Sequence, residues 1–324
     1  MDPHAALMWH GGQTAAAAQL YPAAPRPWLD LSTGISPWVW PVPELAPQAW
    51  QSLPSRAALV QLEWAAARVF GVADADQIAA VPGSDIAIHL LAQLLPAKQV
   101  AIIGHSYAGY RTAWPEAQVL PFDKARAADL LICANPNNPD GAVIAAQDLR
   151  QLANLRIVDE AFADAMPEAS ILPDRGGAIV LRSFGKFFGL AGLRLGFVIA
   201  NKPVIRALRS LLGDWPISGP AIAIGTAAYG DLAWQSLQRS QLAQGSAHLS
   251  ALLVAHGLAD VGGTANFRLA YVADAAGLFI HLCQAGILVR PFADRPDHVR
   301  LGIPGADADW ARLDTALQTW RSAQ

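Results

Sequence analysis

The stretch SFGKFFGLAGLRLGF, residues 183–197, isolates one lysine among apolar side chains and glycines and follows it with an arginine. An amine in apolar surroundings loses hydration in its charged form, which favours the neutral amine, a nucleophile toward an aldehyde. Ser183 and Arg194 offer a hydroxyl and a charge-assisted fork to a phosphate, and the glycines let the backbone approach a ligand closely. The stretch therefore predicts covalent chemistry at Lys186 with an aldehyde that carries a phosphate.

Pyridoxal 5'-phosphate (PLP) is the aldehyde that meets this description. The alternative for Lys186 alone is a side chain at a strand end that extends its amine to solvent. That alternative does not account for the serine, the arginine and the glycines beside it. The stretch therefore favours PLP as the cofactor. We predict no metal, because Cys133 and Cys283 lie far apart without the spacing of metal ligands.

Composition limits the classes of partner. The chain has 324 residues, of which 53% are hydrophobic and 15% charged, and a formal net charge of −3 without a basic block. A nucleic-acid surface and a polycationic membrane helix are therefore not expected, and small molecules are the expected partners. The N-terminus lacks the layout of a signal peptide, and no apolar run approaches the roughly 18 to 20 residues of a membrane helix. We expect a cytoplasmic protein.

Helix-period segments alternate with short apolar segments, which is typical of an α/β fold with a mainly parallel sheet. Ser55 and Gly71 have the residue types that begin and end a helix over 55–70, and Gly83 precedes a second helix that reaches residue 94. Short strands are predicted at 100–103, 129–133, 155–158 and 178–181. Proline-rich breaks predict an N-terminal arm at 1–54, a large PLP-binding domain at 55–214 and a small C-terminal domain at 215–324.

Four further features accompany the lysine stretch in a recognisable order. They are GSD at 83–85, Tyr107, NPNNPDG at 135–141 and Asp159 after an apolar strand. In this order they resemble fold-type I, aspartate-aminotransferase-like PLP enzymes, in the group of histidinol-phosphate aminotransferases and threonine-phosphate decarboxylases. The resemblance covers nearly the whole chain. It implies a mainly parallel central sheet flanked by helices, with a smaller α+β C-terminal domain.

The resemblance also implies a role for each matching position. Tyr107 stacks on the pyridine ring, Asn138 donates to the phenolic oxygen and Asp159 pairs with the ring nitrogen. Lys186 and Asp159 are the implied catalytic residues. The implied cofactor-binding residues are Gly83, Ser84, Asp85, Tyr107, Asn138, Asp159, Ser183, Lys186 and Arg194.

Departures from the aminotransferase pattern bear on the reaction. Phe162 and Leu53 stand where aminotransferases of this group commonly have tyrosines, and HGG at 10–12 with residues 29–37 resembles the opening of threonine-phosphate decarboxylases. Two glycines expose backbone N–H groups to a phosphate, and an imidazole adds a donor. The implied substrate-binding residues are His10, Gly11, Gly12, Gly34, Asn138, Arg290 and Arg300.

The expected reaction is the decarboxylation of L-threonine O-3-phosphate to (R)-1-amino-2-propanol O-2-phosphate in cobalamin biosynthesis, by a homodimer. One alternative is a histidinol-phosphate or related class I/II aminotransferase, because the same residues serve both reactions. Another is a non-catalytic PLP-fold binding subunit, which the presence of Lys186, Asp159 and Arg194 disfavours.

Overall fold

A computed structural model of the chain describes residues 7, 10–152 and 155–322. The described residues form two compact units. The terminal unit takes its residues from Met1–Trp38, Pro139–Gly141 and Arg239–Gln324, and the central unit from Val39–Asn138 and Ala142–Gln238. The predicted domain boundaries, at 54/55 and 214/215, do not coincide with the limits of these two compact units. They stay a prediction.

The described residues form thirteen helices and thirteen strands, with short 3₁₀ turns between them. The helices are α1 Thr14–Leu20, α2 Gln48–Gln51, α3 Arg56–Phe70, α4 Ser84–Leu94, α5 Gly109–Ala113, α6 Phe122–Ala125, α7 Ala146–Arg150, α8 Phe184–Phe187, α9 Lys202–Leu212, α10 Gly219–Gly230, α11 Leu232–Ala255, α12 Ala275–Gln284 and α13 Asp307–Ser322. The strands are β1 Leu29–Asp30, β2 Ile78–Val81, β3 Val100–Ile103, β4 Gln118–Leu120, β5 Leu130–Ala134, β6 Leu155–Asp159, β7 Ile179–Ser183, β8 Gly196–Ile199, β9 Ala259–Thr264, β10 Phe267–Tyr271, β11 Ile287–Leu288, β12 Arg290–Phe292 and β13 Arg295–Gly302. None of the helices in the described ranges is long and apolar enough to cross a membrane.

The central unit is built on a seven-stranded sheet in the order β2-β8-β7-β6-β5-β3-β4. All neighbouring pairs are parallel except those made by β8, which runs antiparallel to both β2 and β7. The predicted α/β class with a mainly parallel sheet is therefore confirmed. Because β3, β5, β6 and β7 are parallel, the loops that follow them lie along one edge of the sheet, where α/β proteins bind ligands.

Local sequence signals explain where the helices of this unit begin and end. The Ser55 hydroxyl accepts a hydrogen bond from Ala58 N, and Gly71 ends α3 in the left-handed conformation at φ 69°. This confirms the predicted helix. The buried face of α4 packs with the central strands through Ile88 and Leu91. That packing fixes the first turn of α4, which the candidate site uses.

The terminal unit contains an antiparallel sheet in the order β12-β13-β10-β9 and a short parallel pair, β1 with β11. Its core gathers apolar residues of α12, α13 and these strands. β11 and β12 follow each other closely in the chain but join different sheets, because β11 pairs with β1 and β12 pairs with β13. The latter pairing places Arg290 directly opposite Arg300.

Candidate active site

Lys186 lies on the short helix α8, directly after the buried strand β7. The phenylalanines around it are buried, and the rings of Phe184 and Phe188 stack with centroids 4.3 Å apart. Lys186 itself is half-buried, and its Nζ lies 5.9 Å from the centroid of the Phe162 ring. The apolar surroundings that the sequence predicts for this amine are therefore present.

Asp159 is the last residue of β6, and its carboxylate is buried. Oδ2 accepts a hydrogen bond from the Tyr110 hydroxyl at 2.8 Å, and Oδ1 accepts one from Ala161 N at 3.0 Å. Burial raises the pKa of Asp159 to about 6, while these two hydrogen bonds and the charge of Lys186 act in the opposite direction.

The raised pKa of Asp159 predicts a pH dependence of the stability of the cofactor-free protein. An unfolded aspartate has a pKa of about 3.9, so the native state binds the extra proton between about pH 4 and 6. The contribution of Asp159 to the free energy of unfolding therefore falls as pH rises through this window, by roughly 3 kcal/mol. Urea unfolding of cofactor-free wild type and Asp159→Asn measures the free energy of unfolding of each protein. Between pH 4 and pH 7 we expect the variant to gain that amount of stability relative to wild type. A constant difference between the two proteins would contradict it.

Gly83 and Arg194 lie together at the N-terminus of α4. Gly83 has φ 93°, which favours glycine, and a Cβ there would come 2.7 Å from a terminal nitrogen of Arg194. Gly83 caps α4 without a side-chain hydrogen bond, so the first N–H groups of the helix are suited to bind an anion beside Arg194. Arg194 also has φ 54°, and it is the one non-glycine residue with positive φ in the described ranges.

Tyr107 connects this helix end to the rest of the site. Its hydroxyl donates to Asp85 Oδ1 at 2.9 Å, and its ring meets the Tyr110 ring edge-on at 5.6 Å. Burial, followed by the charge of Asp85, raises the pKa of Tyr107, so the hydroxyl stays a donor. A Cβ at Gly109 would overlap the Tyr107 ring, so a glycine is required there.

The loop after β5 is held by its asparagines. Asn135 Nδ2 donates to the carbonyl oxygens of Ile144 and Ala169, and Asn135 Oδ1 accepts from Ile144 N. Asn137 bonds the loop after β3, donating to His105 O at 2.8 Å. Asn138 is therefore presented, half-buried, from a loop that is fixed on both sides.

The nine predicted cofactor-binding residues all lie in the central unit, and contacts join most of them. Gly83 meets Arg194, Asp85 bonds Tyr107, and Asp159 lies within electrostatic range of Lys186. Ser183 ends β7 opposite Gly196. These groups fit PLP: a buried carboxylate suits a pyridinium, an arginine at a helix N-terminus suits a phosphate, and an amine in apolar surroundings suits an aldehyde. Their individual roles stay predictions.

The predicted substrate-binding residues lie in the terminal unit, apart from Asn138. Arg300 makes several contacts in that unit. It is 6% exposed, its Nη2 donates to Ser32 O at 2.8 Å, and its guanidinium lies 4.8 Å from the Phe267 ring centroid. Burial and the like charge of Arg290 lower the pKa of Arg300 to about 9, and Asp30 opposes this effect. A bound anion would relieve the repulsion between the two arginines.

Ser32 joins the predicted glycines to Arg300. Gly12 N donates to Ser32 Oγ at 2.8 Å, and a Cβ at Gly11 would overlap the Ser32 backbone. Ser32 Oγ in turn donates to Asp30 Oδ1 at 2.5 Å. His10 is exposed beside these glycines, and Gly34 is buried two residues after Ser32.

Sequence reasoning missed Tyr110, which touches the carboxylate of Asp159. The available signal was its spacing of three residues from Tyr107, which places two tyrosines on one side of a helical turn. Phe162, noted as a departure from the aminotransferase pattern, presents its ring to Lys186. Leu53, the other departure, is 70% exposed, so its side chain leaves apolar surface in contact with solvent.

The chain matches the family Aminotransferase class I and II over residues 38–318. It is 38% identical to the threonine-phosphate decarboxylase of Pseudomonas aeruginosa, over 96% of this chain and 97% of that protein. It is 40% identical to the threonine-phosphate decarboxylase of a Sinorhizobium species, over 95% and 97%. The crystal structure of histidinol-phosphate aminotransferase from Sinorhizobium meliloti in complex with pyridoxal-5'-phosphate superimposes with a TM-score of 0.80 at 18% identity, covering 96% of this chain and 95% of that one.

These matches agree with the site geometry in the central unit. The structural likeness shows the fold, and the predicted PLP fold type I is confirmed. The family match covers most of the chain and both relatives cover nearly all of it. The chain belongs to the aminotransferase class I and II family.

Proposed function

We propose that this protein is a PLP-dependent threonine-phosphate decarboxylase. It would release the carboxylate of L-threonine O-3-phosphate as carbon dioxide and replace it with a proton, giving (R)-1-amino-2-propanol O-2-phosphate for cobalamin biosynthesis. The observation that carries the proposal is the identity of 38–40%, over almost the full length of each protein, to two threonine-phosphate decarboxylases. The paired arginines of the terminal unit support a substrate that carries two anionic groups.

The central unit supplies the groups that hold PLP. When bound, PLP provides an aldehyde for amines and accepts the electron pair that a departing carboxylate leaves behind. Arg194, which adjoins Gly83 at the start of α4, would bind its phosphate with Ser183 and the first turn of that helix, and Tyr107 would cover its ring. Asp159 would hold the proton on its ring nitrogen, and Asn138 would donate to its phenolic oxygen. Lys186 Nζ would bind its aldehyde and, once a substrate amine has taken that place, would be the group that returns a proton to the carbon that lost the carboxylate.

The terminal unit supplies the groups that hold the substrate anions. Arg290 with His10, Gly11 and Gly12 binds the substrate phosphate through a guanidinium, an imidazole and backbone N–H groups. Arg300 binds the carboxylate, and Asn138 orients it. Gly34 lies on the same segment as Ser32, the hydrogen-bond partner of Arg300. Orientation decides which bond breaks, because the bond aligned with the cofactor's π system is the weakened one.

The deciding experiment gives PLP-loaded protein L-threonine O-3-phosphate and follows carbon dioxide and aminopropanol phosphate. A parallel reaction contains histidinol phosphate with 2-oxoglutarate and follows glutamate. We expect carbon dioxide in the first reaction and no glutamate in the second. Glutamate without carbon dioxide would assign an aminotransferase instead. A protein that retains PLP but turns over neither substrate would overturn the proposed reaction and leave the cofactor assignment.

We also propose that the protein is a cytoplasmic homodimer. The support for the cytoplasm is that Cys133 and Cys283 are both free and buried, as thiols of a reducing compartment are. The support for the dimer is a cavity of about 650 Å³ in the central unit, bordered by α3 and by the segment after α9. Trp64 and Trp215 line it, yet they are 42% and 57% exposed. Exposed aromatic surface at a concave face is typical of an interface.

Substituting the two tryptophans of this face by glutamate is expected to dissociate the dimer. In a twofold dimer each substitution counts twice, and the loss of a buried tryptophan at an interface commonly costs about 2 kcal/mol or more. We expect the dimer dissociation constant of Trp64→Glu/Trp215→Glu to rise at least ~100-fold, measured by sedimentation equilibrium. Val254→Glu adds a charge at another exposed apolar position and serves as the control. An equal shift in this control would contradict the assignment of the face.

A further inference from the structure

Tyr110 is a completely buried tyrosine on α5, and its hydroxyl points at the candidate cofactor site. The hydroxyl donates to Asp159 Oδ2 at 2.8 Å. Burial, together with the negative charge of Asp159, keeps the pKa of Tyr110 well above its ordinary value. The tyrosine therefore stays protonated and donates, and the ionised carboxylate accepts.

The two oxygens of Asp159 are each held by a different donor. Tyr110 holds Oδ2, and Ala161 N holds Oδ1 from the turn that follows β6. A carboxylate fixed at both oxygens cannot rotate, so each oxygen presents its remaining lone pair in one direction. Hydrogen bonds to the ionised form also favour that form, which opposes the effect of burial.

Tyr110 also links the carboxylate to the opposite end of the candidate site. Its ring meets the ring of Tyr107, and the Tyr107 hydroxyl bonds Asp85 in the first turn of α4. One short segment, from Tyr107 to Tyr110, therefore contacts two parts of the candidate site. These are the end of α4 that is proposed to bind the phosphate and the carboxylate that is proposed to pair with the ring nitrogen.

We propose that Tyr110 is a positioning residue for Asp159, which keeps this carboxylate ionised and aimed at the ring nitrogen of PLP. The inference rests on the proposed pairing of Asp159 with that nitrogen. Tyr110 itself would touch neither cofactor nor substrate. Its effect is transmitted through one hydrogen bond, so removing the hydroxyl alone should reveal it.

The test compares Tyr110→Phe with wild type, using the affinity for PLP as a function of pH. Phenylalanine retains the buried ring and removes the donor. Without that donor Asp159 ionises at higher pH, so the pH at which PLP binding strengthens should rise by about one unit. Binding should then be roughly tenfold weaker at pH 5 and about twofold weaker at pH 7. The visible absorption band of bound PLP reports this equilibrium without any substrate.

The other titratable groups that face Asp159 stay in place in this variant. They are Lys186 on α8, Glu160 next in sequence, Cys133 on β5 and Tyr107 before α5. Any shift of the binding curve therefore belongs to the lost hydroxyl. Tyr229→Phe is the matched control, because Tyr229 is also fully buried in the central unit and its hydroxyl makes no hydrogen bond among the described residues. We expect the PLP curve of this control to match wild type.

The variant Asp159→Asn distinguishes an error in the proposed pairing of Asp159 from an error in the inference about Tyr110. If Asp159→Asn leaves PLP binding unchanged, the proposed pairing of Asp159 is wrong. If Asp159→Asn weakens binding and Tyr110→Phe does not, only the inference about Tyr110 is overturned. When Tyr110 acts through Asp159, adding Tyr110→Phe to Asp159→Asn should change affinity less than twofold.

A loss of folding would be recognised in the cofactor-free proteins. The hydrogen bond is strongest to the ionised carboxylate, so the fall in melting temperature caused by Tyr110→Phe should be larger at pH 8 than at pH 5. A fall of equal size at both pH values would indicate lost packing and overturn the inference.

Discussion

Lys186→Ala is expected to reduce carbon dioxide release from L-threonine O-3-phosphate by at least ~10³-fold. On the proposed assignment, the substitution removes the amine that binds the cofactor aldehyde and the group that returns a proton to the substrate carbon. Lys186→Arg should fail as well, because a guanidinium remains protonated and is a poor nucleophile. Single-turnover assays of PLP-loaded protein measure the rate, and mass spectrometry after borohydride reduction measures covalent attachment.

The chain contains few lysines, so few other side-chain amines could replace Lys186 in this test. Its four lysines are Lys98, Lys124, Lys186 and Lys202. Lys98 is exposed and serves as the control, so Lys98→Ala should retain wild-type turnover and cofactor attachment. If Lys186→Ala still attached the cofactor covalently and released carbon dioxide at the wild-type rate, one of the other three lysines would carry the reactive amine.

Arg300→Gln is expected to lower kcat/KM for L-threonine O-3-phosphate by ~10²-fold or more, mainly through KM. The Arg300 guanidinium is buried, and the neighbouring charge of Arg290 already disfavours its charged form. On the proposed assignment a substrate carboxylate compensates that charge, and truncating one partner of a buried charge pair costs about 2 to 5 kcal/mol. Glutamine still reaches polar partners but carries no charge, so the charge-dependent part of binding is removed.

Arg268→Gln is the matched control for this prediction. Arg268 lies on β10 of the same antiparallel sheet, and its Nη2 forms an ion pair with Asp260 at 2.7 Å. Its charge is already compensated within the protein, so KM should stay within about twofold of wild type. Equal increases in KM for both variants would attribute the effect to damage of the sheet rather than to anion binding.

Features that depend on neighbouring residues were predictable from the sequence. The start of α4 after Gly83, the cap of α3 at Ser55 and the strand before Asp159 follow from local residue types and apolar spacing. The position of Lys186 after a buried strand follows from the same kind of pattern. The resemblance to a known family then connected these separate positions to one cofactor.

Features that depend on distant pairing were not predictable in this way. Tyr110 and Asp159 are 49 positions apart, and a tyrosine in an apolar segment has the pattern of a core residue. Arg290 and Arg300 face each other only because β12 and β13 adopt one particular register. Residues 139–141 group with the terminal unit, where a Cβ at Gly141 would overlap the Gly263 backbone. No local composition indicates such a contact.

The antiparallel pairing of β7 with β8 has a kinetic consequence. Ser183 and Gly196 pair across the two strands, so the short connection between them is closed at its base and carries both Lys186 and Arg194. On the proposed assignment, the covalent and the ionic attachments of the cofactor belong to one cooperative segment. An opening fluctuation of that segment loosens both ends of PLP together, and the lifetime of the loaded enzyme is then governed by how rarely this one connection opens.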